Sequence, residues 1–461
     1  MNISQLQDCY NLLIRSKGWD TSNGQKTTKQ ILKLLKELQK SPKEVRTLPP
    51  KWYDPLLAAL QCNQPTIIDN ILNLFADFYC KKQLNFEINI IADDQNNSQT
   101  ETPDNQNATN IHILVHIISL ISNFSREIFS QSAISITRFA LSVINGESDA
   151  NSPVHGDVLL QYFQAIFNCT IFSVEKTAQV SSRTSLTQSV EIIAQRFESP
   201  PIYNTDISLL AYQIARKVTF DVLAPDLFDL LDNTSSLPKP SNIYECDALL
   251  ILRTICSFSS SFSLNNISSS PNQANSNFNI PSTNLLSDFA FKESSIFMNK
   301  ALISIELVSS FVSYDHEIMY TSLFYLQIIK NFVCSLVLRY SHSDSHQVFK
   351  ATLKLCHMLM MRYRDILKAE SSVFFSSMFF RVLDQPSANN LDKLAVIDRL
   401  ERFSPSFLAE IFVNFDCDID LQEANVFEHL ISSLITLSEY PESLQTLAAI
   451  LKNLNQWSRQ K

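Results

Sequence analysis

Apolar residues recur along this chain at steps of three and four. Between residues 157 and 172 they fall at Leu159, Tyr162, Phe163, Ile166 and Phe167, and between 186 and 197 at Leu186, Val190, Ile193, Ala194 and Phe197. That spacing places each set on one helix face. The stretch between them, VEKTAQVSSRT (174–184), is polar and reads as a turn, so the two segments form a helical hairpin. The same pattern continues through most of the sequence and gives about eighteen helical segments. Prolines punctuate the pattern: Asp54-Pro55, Ser152-Pro153 and Ser404-Pro405 each set a capping side chain before a proline at the first helical position. Many segments are apolar on more than one side, as helices in the middle of a stack must be. No repeat of fixed period is visible. The predicted fold is all-α, an armadillo- or HEAT-like superhelical solenoid of stacked helical hairpins.

Polar stretches divide the pattern. DDQNNSQTETPDNQNATN (93–110) and the Ser-, Asn- and Pro-rich run 257–288 hold too little apolar area to offset the entropy of ordering, and are expected to be mobile. Ser199-Pro200-Pro201 is the main break, and a softer one runs from 232 to 242. The expected division is a helical domain over 1–198, a linker with short helices over 199–243, and a second helical domain over 244–461 carrying the mobile insert 257–288. A final helix is expected from Glu442 to about Gln456.

Composition narrows the function. The 461 residues include only four glycines, Gly18, Gly24, Gly146 and Gly156. Phosphate loops and dinucleotide folds need glycine where the backbone turns with positive φ or approaches a phosphate, and neither GxGxxG nor GxxxxGK[ST] can be written here. A net charge of −9 speaks against a nucleic-acid partner, whose phosphates call for a basic surface. Nine scattered cysteines without a CxxC pair, and an N-terminus without a signal peptide, point to reduced thiols in the cytoplasm. Asn2 excludes N-myristoylation. The most apolar run, Ile111–Phe124, is shorter than the roughly 20 residues a membrane span needs, and reads as a buried helix. Any membrane association is expected to be peripheral.

The most distinctive run is FLAEIFVNFDCDIDLQEANVFEHLISSLITLSE (407–439). It resembles the HUS box of the large Arf guanine-nucleotide exchange factors, the BIG and GBF types, through Phe412, Val413, Asn414, Phe415, Asp416, Cys417 and Asp418, followed by Asn425, Val426, Phe427, Glu428 and Leu430. Two tyrosines of that box are phenylalanine here, which keeps the ring and drops the hydroxyl. YECDALLILRTICSFS (244–259) resembles the start of the family's HUS domain, and NKALISIELVSSFVS (299–313) a helix inside it. Residues 52–84 and 155–198 resemble its dimerisation and cyclophilin-binding (DCB) domain. The resemblance therefore covers nearly the whole chain, with 1–198 as DCB-like and 244–461 as HUS-like. It implies a non-catalytic scaffold that dimerises, binds an Arf or Arf-like GTPase and associates peripherally with Golgi or trans-Golgi membranes. The family's exchange activity uses a glutamate in a Pro-Gly-Glu-type loop. The sole Gly-Glu here, Gly146-Glu147, lacks that setting, so no catalytic residue and no cofactor are expected.

Within the box, Asp420 with Glu423 three positions on reads as a capping box opening a helix Leu421–Leu437. Asn414, Phe415, Asp416, Cys417 and Asp418 then have two readings: a structural turn between helices, or a surface for docking the DCB domain or a partner. Lys29, Lys33, Lys36 and Lys40 form a basic stripe opposite Ile31, Leu35 and Leu38. Such a stripe is either a solvated helix face or a contact for anionic lipid or an acidic partner. His112 with His116, and His342 with His346, share metal-like spacing but lack third ligands, so no metal is expected. The aromatic run Ser371–Leu383 reads as core, with burial by a partner as the alternative. Two other functions compete with the scaffold: a generic α-solenoid adaptor, which leaves the box unexplained, and an enzyme, for which no polar cluster is evident.

Overall fold

The computed structural model describes residues 3–16, 28–33, 35–36, 53–80, 87–89, 110–146, 154–197, 243–258, 283–416 and 425–460. The fold is all-α, with helices packed on near neighbours in sequence as in an armadillo- or HEAT-like stack. A single antiparallel strand pair interrupts it among the described residues: β1 (Glu87–Asn89) with β2 (Asn110–His112), Ile88 opposite Ile111. The chain divides into two compact units, residues 1–211 with 242–247, and residues 212–241 with 248–461.

The first unit is built from α1 (Ile3–Arg15), α2 (Asp54–Leu60), α3 (Pro65–Cys80), α4 (Ile113–Ser122), α5 (Arg126–Gln131), α6 (Ala133–Gly146), α7 (Asp157–Phe172) and α8 (Lys176–Phe197). Helix α6 packs between α3 and α7, and α7 in turn on α8. Phe75 of α3, Phe139 of α6 and Tyr162 of α7 meet ring to ring at 6.5 and 6.0 Å, and the Tyr162 hydroxyl donates to the Leu114 carbonyl at 2.7 Å. Arg138 on α6 reaches Asn73 and Asp77 on α3 at 3.0 and 2.5 Å. Gly146 ends α6 against the Tyr79 ring, where an added Cβ would lie 2.4 Å from a ring carbon.

The predicted hairpin faces of α7 and α8 are buried as expected. The turn between them is shorter than the polarity suggested. Helix α8 already begins at Lys176 and runs for 22 residues, burying Ala178, Ser182 and Ser185. Small side chains let α8 approach its neighbours here, and the Ser182 and Thr137 hydroxyls pair at 3.0 Å. At α2 the capping position is Tyr53 rather than Asp54, which is itself the first helical residue.

The second unit holds most of α9 (Ile243–Phe258), then α10 (Thr283–Ser313), α11 (Ile318–Thr321), α12 (Leu323–Ile328), α13 (Cys334–Tyr340), α14 (His346–Arg362), α15 (Lys368–Phe374), α16 (Arg381–Asp384), α17 (Asn390–Glu401), α18 (Pro405–Ile411), α19 (Val426–Thr436) and α20 (Pro441–Gln460). Helix α10 packs along α14, whose Arg362 caps it by donating to the carbonyls of Val312 and Tyr314. The region expected as a mobile insert, 257–288, is helical at both edges, to Phe258 and again from Thr283; its residues 259–282 lie outside the described ones. Ser404 caps α18 through Phe407 N–H at 3.2 Å, with Pro405 first in the helix as predicted.

Two segments, Ser295–Ser313 and Leu323–Tyr340, are long and apolar enough to span a membrane by length and composition, whereas the sequence reading expected none. Both contribute buried side chains to the second unit, among them Phe311, Tyr325 and Val337, which is the behaviour of core helices.

Candidate functional site

Three π-helical turns occur among the described residues: Ile329–Val333, Phe375–Phe380 and Phe412–Asp416. A π turn widens the helix by one residue and re-aims the side chains after it. The third is the distinctive box itself. It extends α18 and turns Phe415 into the core, while Phe412 and Val413 remain 40% and 45% exposed. The Phe412 ring stands edge-on to Phe427 at 5.6 Å.

Asp416 ends the π turn and closes it onto the next helix. Its two carboxylate oxygens accept the backbone N–H groups of Phe427 and Glu428, at 2.9 and 2.8 Å. These are orphan donors of the first turn of α19, and a carboxylate there also meets the positive end of the helix dipole. This helix begins at Val426, with Asn425 as its capping residue; the expected start at Leu421 lies outside the described residues. The first turn of α19 takes a carboxylate from Asp416, and the expected Asp420–Glu423 capping box falls on residues outside the described ones. The Asn425 amide donates to Glu428 at 3.3 Å. Cys417, Asp418, Asp420 and Glu423 lie outside the described residues, as does the Asn414 side chain.

Beside this junction an open groove of about 950 Å³ runs between the second π turn with α16 and the start of α19. Phe380, Arg381 and Asp384 line one side; Val426, Glu428 and His429 line the other. The His429 ring stacks on Phe380 at 4.0 Å and donates from Nε2 to Asp384 at 2.8 Å. The Ser433 hydroxyl donates to the other oxygen of Asp384 at 2.5 Å. Serine and histidine therefore both converge on the carboxylate. A nucleophilic relay needs the serine to donate to the histidine, so this trio fixes α19 on α16 and is not arranged for acyl transfer. Arg381 spends its guanidinium on the Ser377 and Ser341 carbonyls. The remaining ionisable groups give the groove an acidic cast.

The first unit contains a second carboxylate junction. Asp247 accepts from His155 Nδ1 at 2.6 Å and from the Gly156 backbone N–H at 2.7 Å. The two side chains are only 2% and 5% exposed. The His155 ring stands edge-on to Tyr244 at 5.7 Å. Gly156 holds φ 56° and ψ −125°, a conformation open to glycine and strained for other residues. Sequence spacing offered no signal for either cluster, because the partners lie 45 to 92 residues apart.

Lys29, Lys33 and Lys36 are exposed, and Ile31, Leu32 and Leu35 beneath them are buried; Lys40 lies outside the described residues. The histidine pairs do not share helices. His112 is in β2 and His116 in α4, while His342 sits in the turn before α14 and His346, at its start, pairs with Asp392 at 2.6 Å. Among the described residues no group of three metal-ligating side chains forms. The aromatic run is core: Phe374, Phe375, Met378 and Phe379 are fully buried.

Residues 244–426 match the family model described as the Mon2/Sec7/BIG1-like HUS domain. Over this stretch the chain is similar to a HUS domain. Its match ends at Val426, the first residue of the helix that Asp416 caps. The chain is similar to the ADP-ribosylation factor guanine nucleotide-exchange factor sec72 of Schizosaccharomyces pombe, 24% identical over 313 residues, which are 62% of this chain and 16% of that protein. It is also similar to the brefeldin A-inhibited guanine nucleotide-exchange protein 1 of Arabidopsis thaliana, 21% identical over 67% of this chain and 20% of the relative. The protein of that name from Homo sapiens is 25% identical over 49% of this chain and 12% of its own. The chain thus spans a fifth or less of the length of these relatives. It is related to the Arf exchange factors through their HUS region.

Proposed function

We propose that the chain is a non-catalytic regulatory scaffold of an Arf exchange factor-like protein. In this reading the DCB-like residues 1–198 and the HUS domain dimerise, bind an Arf or Arf-like GTPase and bring the protein to the cytoplasmic face of Golgi membranes. The observation that carries it is the HUS box. Asp416 ties the end of the π turn to α19 while Phe412 and Val413 remain outside, beside an open groove. A box serving only as a structural turn gains nothing from two exposed apolar side chains at its start. The generic-adaptor alternative would be favoured by a box packed entirely inward. The exposed stripe Lys29, Lys33 and Lys36 adds an electrostatic contact for anionic lipid.

The test is capture of Arf and Arf-like GTPases, loaded with GDP or a GTP analogue, on the purified chain. GTP-dependent capture that falls when Phe412→Ala and Val413→Asp are introduced supports the reading. Failure to capture any of the panel in either nucleotide state removes GTPase binding from it.

A further inference from the structure

The helix after the box carries a second apolar stripe besides the one it buries. Val426, Leu430 and Leu434 of α19 face the core. Phe427, Ile431 and Ile435 recur every fourth residue and share a different side of the helix. Ile435 is 55% exposed, and Phe427 and Ile431 are half-buried. The exposed Phe412 ring lies against Phe427 and extends the stripe onto the π turn. Charge says what can cover it. From Phe403 to Leu451 the sequence holds eight acidic residues and no lysine or arginine. Two of those acidic groups border the stripe. The Asp416 carboxylate sits at its N-terminal end, on the Phe427 and Glu428 N–H groups. Glu428 is exposed and precedes Ile435 by seven residues, which sets the two about 20° apart around the helix. Arginines that approach from other helices are already engaged: Arg364 with Glu410 at 3.0 Å, and Arg381 with the Ser377 and Ser341 carbonyls.

We infer that this stripe receives a basic amphipathic helix of a partner protein. The partner's apolar residues lie on Phe412, Phe427, Ile431 and Ile435, and its lysines or arginines over Asp416 and Glu428. An anionic bilayer or a nucleic acid carries the sign of this face itself and is repelled by it. The site rests on the scaffold reading and gives the docked element its chemistry.

The experiment is fluorescence anisotropy of a labelled synthetic helix, leucine and lysine in amphipathic order, titrated with the full chain. A scrambled isomer of the same composition and a version with glutamate for lysine are the controls. The amphipathic basic peptide should bind in the micromolar range, about tenfold or more tighter than either control. Ile435→Asp and Glu428→Lys should each weaken it about tenfold. Glu317→Lys, at an exposed acidic position outside this stretch, should leave it unchanged. Residues 428 and 435 are both exposed, so circular dichroism should show the helices of the variants intact. Equal binding of the scrambled peptide overturns the site, as does binding indifferent to Ile435 and Glu428, or attachment of the chain to anionic vesicles that Ile435→Asp abolishes. GTPase capture separates this site from the reading beneath it. Peptide binding without capture of any GTPase keeps the stripe and removes the GTPase. Capture that survives both substitutions, in a chain that binds no peptide, removes the stripe and leaves the scaffold standing.

Discussion

The two units each fix a helix N-terminus with an aspartate from elsewhere in the sequence, one fully buried and one half-buried. Asp247 is enclosed with His155 and the Gly156 N–H at the start of α7. Asp416 caps α19 at the surface, beside exposed Phe412 and Val413. A buried carboxylate left without its partners is costly, whereas an exposed cap is worth little more than its hydrogen bonds. The first junction can therefore serve only architecture. The second costs less to alter and leaves a surface that another protein can read.

Breaking the buried junction should give the largest effect. Asp247→Ala removes the buried carboxylate that accepts from His155 Nδ1 and the Gly156 N–H, and should destabilise the chain by about 3–5 kcal/mol. Urea denaturation followed by circular dichroism measures this. Asp247→Asn keeps an acceptor and should recover part of the loss. If Asp247→Ala costs no more than an exposed cap, the contrast between the junctions collapses.

Gly156→Ala asks how much of that junction resides in the backbone. A side chain at φ 56°, ψ −125° should cost about 1–3 kcal/mol, with the Asp247 contacts still available. An unchanged midpoint in the same denaturation experiment would show that the turn relaxes freely.

Asp416→Ala is the matching cut at the surface. Loss of a side-chain cap costs about 1 kcal/mol, and the two N–H groups involved place it toward the upper end of roughly 0.5–2 kcal/mol. Hydrogen exchange should show the change concentrated in α19. Phe412→Ala should move stability by less than about 0.5 kcal/mol, because the ring is substantially exposed, yet it should reduce GTPase capture. A large stability loss from Phe412→Ala would return the box to a purely structural role.

Much of this was legible in the sequence, and the exceptions have physical causes. The faces of α7 and α8 and the Ser404-Pro405 start of α18 follow from local periodicity and capping chemistry. The box at 412–418 was legible as a motif, but its cap was not. Asp420 has the right local spacing, whereas Asp416 reaches the α19 N–H groups from 11 and 12 residues away in sequence. The N-terminal half of α8 was read as a turn because serine, threonine and alanine carry a weak periodic signal; they are helical because the packing there requires small residues. Asp247 stood inside a recognised run, yet its partner His155 lies 92 residues away, a distance at which no single-sequence pattern operates.

One further imidazole sharpens the comparison from the side of charge, with the smallest expected effect. His155, His346 and His429 each face an aspartate. His357 stacks on Phe403 at 4.7 Å, and its Nε2 has no hydrogen-bond partner. Burial, joined by the positive charges of Arg399 and Arg402, holds its pKa below the ordinary histidine value of 6.5, against a weaker opposing pull from the Arg402 backbone. The folded chain therefore resists protonation at this site more than the unfolded chain does. As pH falls through about 6.5, the unfolded state takes up a proton first, so this residue's contribution lowers stability on acidification and is neutral above that range. His357→Phe keeps a ring against Phe403 and removes the titration. Denaturation midpoints of wild type and variant should run parallel from pH 7 to 8 and diverge below the ordinary histidine range, with the variant losing less. Curves that stay parallel down to pH 5 would mean that His357 gains a partner on protonation, which would place it with the carboxylate-paired histidines rather than apart from them.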